Sequence, residues 1–119
     1  MGYMPKSWRR DYTGPLRGLV ETAVRWLASY AEDRIIQASA DISRGSGIPA
    51  ELIEVRALNL LSKEILEARG RAAVRAKRAG CSLNVIAVVA EGDEATGSSV
   101  RYWPGWRQAS ADGGAPLEP

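Results

Sequence analysis

The residues of this chain that could do chemistry are mainly arginines and lysines, because the sequence contains no histidine and a single cysteine, Cys81. Without histidine, neither a Ser-His-Asp triad, a Cys-His pair nor a His-containing zinc site can form. The sequence also has no phosphate-binding loop and no metal motif, so we expect no cofactor and no bound metal. A lone cysteine forms no internal disulfide, which is typical of a reducing cytoplasm. We therefore expect a cytoplasmic protein that is not an enzyme.

The positive charge is concentrated in one segment. Residues 68–80 carry five Lys/Arg and no Asp/Glu, although the net charge of the whole chain is only +2. On a helix, Arg71, Arg75 and Arg78 would share one face, and arginine can hold phosphate oxygens through paired hydrogen bonds. Such a face could bind DNA or RNA, an acidic protein surface could bind the same arginines, and a solvated helix end would leave them without a partner. The candidate nucleic-acid-binding residues are Arg44, Arg69, Arg71, Arg75, Lys77 and Arg78.

Two helices are predicted to position these residues. Apolar side chains recur at spacings of three and four over residues 16–38, which predicts a first helix that opens at Pro15 and turns one apolar stripe toward a core. This region could also split into two helices near residues 32–33. A second helix is predicted to open at Pro49 and to end where Gly80 can serve as its C-terminal cap.

The segment between the two predicted helices resembles the turn of a helix-turn-helix. That motif has an apolar and a small residue on its first helix, a glycine in the turn, and apolar residues after it. The matching positions are Ile42, Ser43, Gly47, Ile48 and Ile53. Since glycine alone takes positive φ values without steric cost, we predict a positive φ at the turn glycine. The resemblance implies DNA binding, and an ordinary helical hairpin without nucleic acid is the alternative.

After the second predicted helix, the pattern changes from helical to strand-like. Residues 83–90 are short, β-branched and almost continuously apolar, which predicts a strand covered on both faces. The turn-rich residues 91–98 lead to residues 99–103, the predicted antiparallel partner. We thus predict an α+β fold with two or three N-terminal helices followed by a C-terminal antiparallel β-hairpin. Because two strands alone make a marginal sheet, the hairpin either packs on the helices or completes a sheet across a homodimer.

The length of the chain suits one domain. Glycine and proline near the start predict a loosely ordered arm at residues 1–14, followed by a single small domain at residues 15–107. The polar residues 108–119 predict a disordered tail. No apolar run approaches the roughly 20 residues of a membrane span, so we expect no membrane partner.

Aromatic residues gather near both ends of the chain, where they could close the core or form an interface. They are Tyr3, Trp8, Tyr12, Tyr102, Trp103 and Trp106. Two functions follow as expectations. The first is a small non-enzymatic nucleic-acid-binding accessory or regulatory protein of bacterial or phage type. The alternative is a protein–protein interaction module (an inhibitor, adaptor or assembly factor) that uses the aromatic ends or the edge of the hairpin.

Overall fold

The computed structural model describes the backbone of residues 6–92 and 94–112, and the side chains of residues 18–92 and 94–112. Neither described range contains a strand. The predicted α+β fold is therefore wrong, and so are the β-hairpin and the sheet that it would complete across a dimer. The elements are α1 (Lys6–Ser46), α2 (Ala50–Arg78), α3 (Leu83–Glu91), a 3₁₀ helix (Gly97–Tyr102) and α4 (Trp106–Asp112).

The first segment predicted as a strand, residues 83–90, forms α3. Ser82 caps this helix: its backbone is extended, and its side-chain oxygen accepts a hydrogen bond of 3.2 Å from the amide of Val85. Residues 85–88 are all buried, so the continuous apolar run reflects a helix that is covered on most of its sides. A short apolar run fits a buried helix as well as a buried strand, and periodicity does not separate the two.

The second segment predicted as a strand falls in the 3₁₀ helix and the residue after it. Asn84 ties this element to the start of α3, because its side-chain oxygen accepts a 2.7 Å hydrogen bond from the amide of Gly97. The approach is close: a Cβ at Gly97 would lie 2.5 Å from the carbonyl carbon of Leu83. Val100, in the middle of the 3₁₀ helix, is fully buried. Its burial comes from helical packing and not from strand pairing.

The chain divides into two compact units. The core unit comprises Met1–Leu16 and Ile65–Pro119, and the hairpin unit comprises Arg17–Glu64, so that α2 contributes residues to each. The core unit contains the hydrophobic core, which includes two of the tryptophans from the aromatic C-terminal end. Its buried members are Ala73, Val74, Ile86, Ala87, Val100, Trp103 and Trp106. The side chains of Tyr3, Trp8 and Tyr12 lie outside the described residues.

The turn before α4 contacts α2 at Gly70, where no side chain separates the two backbones. A Cβ at Gly70 would overlap the carbonyl oxygen of Pro104 and lie 2.9 Å from the amide nitrogen of Trp106. On the other side of the same contact, Gly105 has a φ of 84° and approaches the backbone of Glu67. A glycine inside a helix normally weakens it by about 1 kcal/mol relative to alanine. Here its missing side chain makes room for a neighbouring backbone.

The glycine turn of the hairpin unit is confirmed. Gly47 has a φ of 75°, and its amide donates to the carbonyl of Ser43 at 2.8 Å, the pattern of a left-handed helix end. The hydroxyl of Ser43 donates to the carbonyl of Ile48 at 2.6 Å. The carbonyl of Pro49 accepts the first hydrogen bonds of α2, which therefore begins one residue after the predicted start.

Gly80 ends α2 as predicted. It has a φ of 106°, its amide donates to the carbonyl of Lys77 at 3.0 Å, and the amide of Cys81 donates to the carbonyl of Ala76 at 3.0 Å. These two bonds form a Schellman motif, in which glycine is the favoured residue.

The first helix begins earlier in the chain than the sequence predicts. The helix α1 starts at Lys6, upstream of Pro15, and continues without a break through residues 32–33. The predicted arm (residues 1–14) and tail (residues 108–119) both extend outside the described residues, and the domain boundaries stay predictions. None of the helices in the described ranges combines the length and the apolar character that crossing a membrane requires.

Candidate functional site

The six predicted nucleic-acid-binding residues fall in both units. Arg44 lies in the last turn of α1, in the hairpin unit, where its guanidinium pairs with Asp41. The other five lie in the C-terminal part of α2, in the core unit. Lys77 is half-buried and lines a depression with Ser82 and Asn84.

Two of the five are engaged by the protein itself. The guanidinium carbon of Arg69 lies 3.9 Å from the ring centroid of Trp103. Arg78 donates to the carbonyl oxygens of Ala109 at 3.4 Å and Ser110 at 2.9 Å. Those carbonyls belong to the last turn of α4, where a cation satisfies open acceptors and complements the helix dipole. The predicted face of three equivalent arginines therefore has one member with a structural role.

Arg71 and Arg75 are exposed, as Arg78 is, but no side-chain hydrogen bond joins either of them to another described residue. They stand one helical turn apart, and neither forms an ion pair with any described residue. Each can still present its guanidinium to a phosphate or a carboxylate of another molecule. Arg71 and Arg75 are thus the two members of the predicted face for which no partner lies among the described residues.

A larger feature lies on α1, where the predicted core-facing stripe meets solvent. Trp26 is 68% exposed, and its ring stacks on that of Tyr30 with centroids 5.9 Å apart and planes inclined by 7°. Exposed aliphatic side chains flank this pair along the same part of the helix. We name the group the α1 apolar face; it consists of Leu19, Val20, Val24, Trp26, Leu27 and Tyr30.

The buried side of each helix in the hairpin unit is narrow. On α1 the least exposed positions of this unit are Ala31, Ile35, Ser39, Ala40 and Ser43. On α2 they are Ala50, Ile53, Glu54, Ala57 and Leu61. A stripe of this width takes up only part of the surface of an amphipathic helix. The α1 apolar face lies N-terminal to the stripe and is exposed to solvent.

The spacing within the face suits contact with another helix. Leu19, Trp26 and Tyr30 of this face, together with the neighbouring Ala23, stand at successive intervals of four, three and four positions, which is the spacing of a coiled-coil seam. Tryptophan and tyrosine are also the residues that most often dominate the binding energy of protein interfaces. The face can therefore receive an amphipathic helix of a partner.

The charge around the face differs from that of the basic segment. Within Arg17–Glu64 six Lys/Arg stand against seven Asp/Glu, whereas residues 68–80 have five Lys/Arg and no Asp/Glu. A nearly neutral surface with exposed aromatic residues does not attract a polyanion. It suits a protein partner.

The apolar periodicity of the sequence predicts that Val20, Val24 and Leu27 of this face point toward a core, whereas all three are exposed. Periodicity shows that a helix has an apolar side, and it does not show what covers that side. Comparisons of the chain with protein-family models, with curated proteins and with solved structures give no match. The geometry described above is therefore the basis for a functional proposal.

Proposed function

We propose that this chain is a non-enzymatic protein–protein interaction module that pairs with a second copy of itself through the α1 apolar face. The observation that supports it is the exposure of six large apolar side chains, two of them aromatic, on one part of one helix. Exposed apolar patches of this kind mark interaction surfaces in proteins. Association would cover them.

The chemistry of the hairpin unit favours a second copy. In a two-fold dimer the same patch meets itself, so a patch with a large net charge would repel its partner. The hairpin unit has no such charge, with six Lys/Arg against seven Asp/Glu. Side chains of tryptophan and tyrosine each bury roughly 150–250 Å². Six large residues from each copy can thus supply a major part of the roughly 800 Å² per partner in a stable interface.

Light scattering coupled to size-exclusion chromatography tests the proposal. The parent chain has a mass of 12.9 kDa and is expected to elute with about twice that mass at micromolar concentration. Tyr30→Ser removes one aromatic ring from the face and is expected to raise the dimer dissociation constant by at least about tenfold.

Tyr102→Ser is the matched control, because Tyr102 is 77% exposed but lies in the 3₁₀ helix of the core unit. It is expected to leave the dissociation constant unchanged, and circular dichroism would confirm that both variants keep their helix content. A parent chain that stays monomeric at 100 μM, or equal effects of the two substitutions, would contradict the proposal.

A second candidate function is nucleic-acid binding through Arg71 and Arg75. It is favoured by their exposure and by the absence of an ion pair to either among the described residues. Binding to unrelated duplexes should then weaken steeply with salt, and Arg71→Gln/Arg75→Gln should flatten the slope of log K against log salt by about one unit per lost contact.

The matched control for that measurement is Arg34→Gln/Arg56→Gln, which removes two exposed arginines from the hairpin unit. Arg78 stays unchanged in both variants, because it bonds to α4. No duplex binding at low salt, or equal slopes for the two double variants, would exclude this second function.

A further inference from the structure

The core unit contains an open apolar cavity of about 340 Å³ between the C-terminal part of α2, α3 and the ring of Trp103. Small and aliphatic side chains form its walls, among them Ala72, Ala76, Val85 and Ala90. Its volume lies within the roughly 300–1,000 Å³ of cavities that bind small molecules. The α1 apolar face takes no part in it.

One charged side chain, Arg69, lines this cavity. Its guanidinium carbon lies 3.9 Å from the ring centroid of Trp103, and its Nε is buried without a hydrogen-bond partner among the described residues. A buried donor without an acceptor costs about 1–3 kcal/mol. The site therefore combines apolar walls with a cation that has no anionic acceptor among the described residues.

We propose that this cavity binds a monocarboxylate with an apolar body, such as a medium-chain fatty acid. The carboxylate accepts hydrogen bonds from the guanidinium of Arg69, and the apolar body lies against the alanines of α2 and the side chains of α3. Stacking on Trp103 holds the guanidinium by its face, which leaves the N–H groups in the guanidinium plane as the donors to the carboxylate. An ammonium head group would be repelled by the same arginine.

The requirement for an anion separates this site from a simple apolar depression. A neutral chain would gain the apolar contacts only, whereas a carboxylate adds charge-assisted hydrogen bonds, which are about twice as strong as neutral ones. A ligand series with one chain and three head groups isolates that contribution. The apolar side chain of a partner protein, the other possible occupant, would show no dependence on the head group.

Calorimetric titration of the full chain with decanoate, decanol and decyltrimethylammonium, each below its micelle concentration, tests the proposal. We expect one decanoate per chain, an affinity for decanol at least about tenfold weaker, and no binding of the ammonium compound. Equal affinities for decanoate and decanol, or no binding of decanoate, would overturn it.

Variants then locate the binding site. Arg69→Gln is expected to weaken decanoate at least about tenfold while decanol is unaffected, and Arg71→Gln, at the next exposed arginine, is expected to change neither. Ala72→Leu places extra atoms at an exposed wall position and should weaken both ligands. Tyr30→Ser should change neither affinity, which distinguishes the cavity from the α1 apolar face. If Arg69→Gln unfolds, the ligand series on the parent and Ala72→Leu still decide, and unchanged affinities in all variants would overturn the proposal.

Discussion

The core unit and the hairpin unit use the same residue type in opposite ways. Trp103 and Trp106 are 8% and 7% exposed in the core unit, whereas Trp26 is 68% exposed in the hairpin unit. The residue type is the same in all three cases, so it does not explain the difference. The number of elements that meet at each residue explains it.

In the core unit, short elements joined by tight turns surround the hydrophobic core from several sides. Gly70, Gly97 and Gly105 allow backbones to approach there to distances that a Cβ would forbid. The hairpin unit has two long helices, and each has one narrow buried stripe. Two helices can cover one stripe each, and a wider apolar face needs a third partner. The core unit is therefore specified by internal packing, whereas the hairpin unit keeps an exposed apolar face that the proposed association would cover.

The largest expected difference between the two units comes from adding one methyl group to a helical glycine. Gly70→Ala should destabilise the chain by about 3 kcal/mol, because the added carbon meets the backbone of Pro104 and Trp106 and no flexible side chain can give way. Gly45→Ala, at a helical glycine with no atom within 4 Å of the added carbon, should stabilise it by about 0.5–1 kcal/mol. Urea unfolding at one fixed protein concentration measures both changes.

If Gly70→Ala and Gly45→Ala both lower or both raise the free energy of unfolding, the contrast between the tightly packed core unit and the hairpin unit is wrong. Both variants are measured at one protein concentration because the proposed dimer would also stabilise the folded chain.

A smaller effect is expected at the turn of the hairpin unit, where strain and not packing is decisive. Gly47→Val should destabilise by about 2 kcal/mol, because a β-branched residue must adopt the φ of 75° that glycine holds there. No atom lies within 4 Å of the added Cβ, so the Cβ itself causes no overlap. Thermal unfolding of Gly47→Val is compared with that of Gly45→Val, which places valine at a helical position. The comparison separates the effect of the positive φ from the effect of valine itself. A loss at Gly45 as large as at Gly47 would mean that valine, and not φ, is responsible.

Local signals in the sequence predicted the helical pair, its turn and the end of α2. Gly47 and Gly80 stand where a left-handed residue ends a helix, and Pro49 stands immediately before the next one. These features depend on a few neighbouring residues, which is why they can be read without the fold.

The rest of the molecule depends on contacts between distant residues. Arg78 bonds to carbonyls 31 and 32 residues further along the chain, on a helix that the sequence did not predict. The run at residues 83–90 was assigned to a strand by its β-branched composition, and tertiary burial overrode that propensity. The cavity that Arg69 lines is likewise formed by α2, α3 and Trp103 together. No spacing in the sequence indicates it.

Ser82 is the local signal that favours a helix at the misassigned segment, and its substitution should have the smallest effect. Its side-chain oxygen accepts from the amide of Val85, so Ser82→Ala leaves that donor without its cap and should destabilise by about 1 kcal/mol. Ser99→Ala is the matched control, since Ser99 is exposed within the 3₁₀ helix, and it should change stability by less than about 0.5 kcal/mol. Hydrogen exchange at the amide of Val85 gives a local readout, because loss of the cap should speed exchange there more than in α1. If Ser82→Ala leaves both stability and this exchange rate unchanged, the cap contributes nothing, and burial of residues 85–88 alone holds the segment in a helix. Packing would then determine the core unit even where the sequence offers a local helix signal.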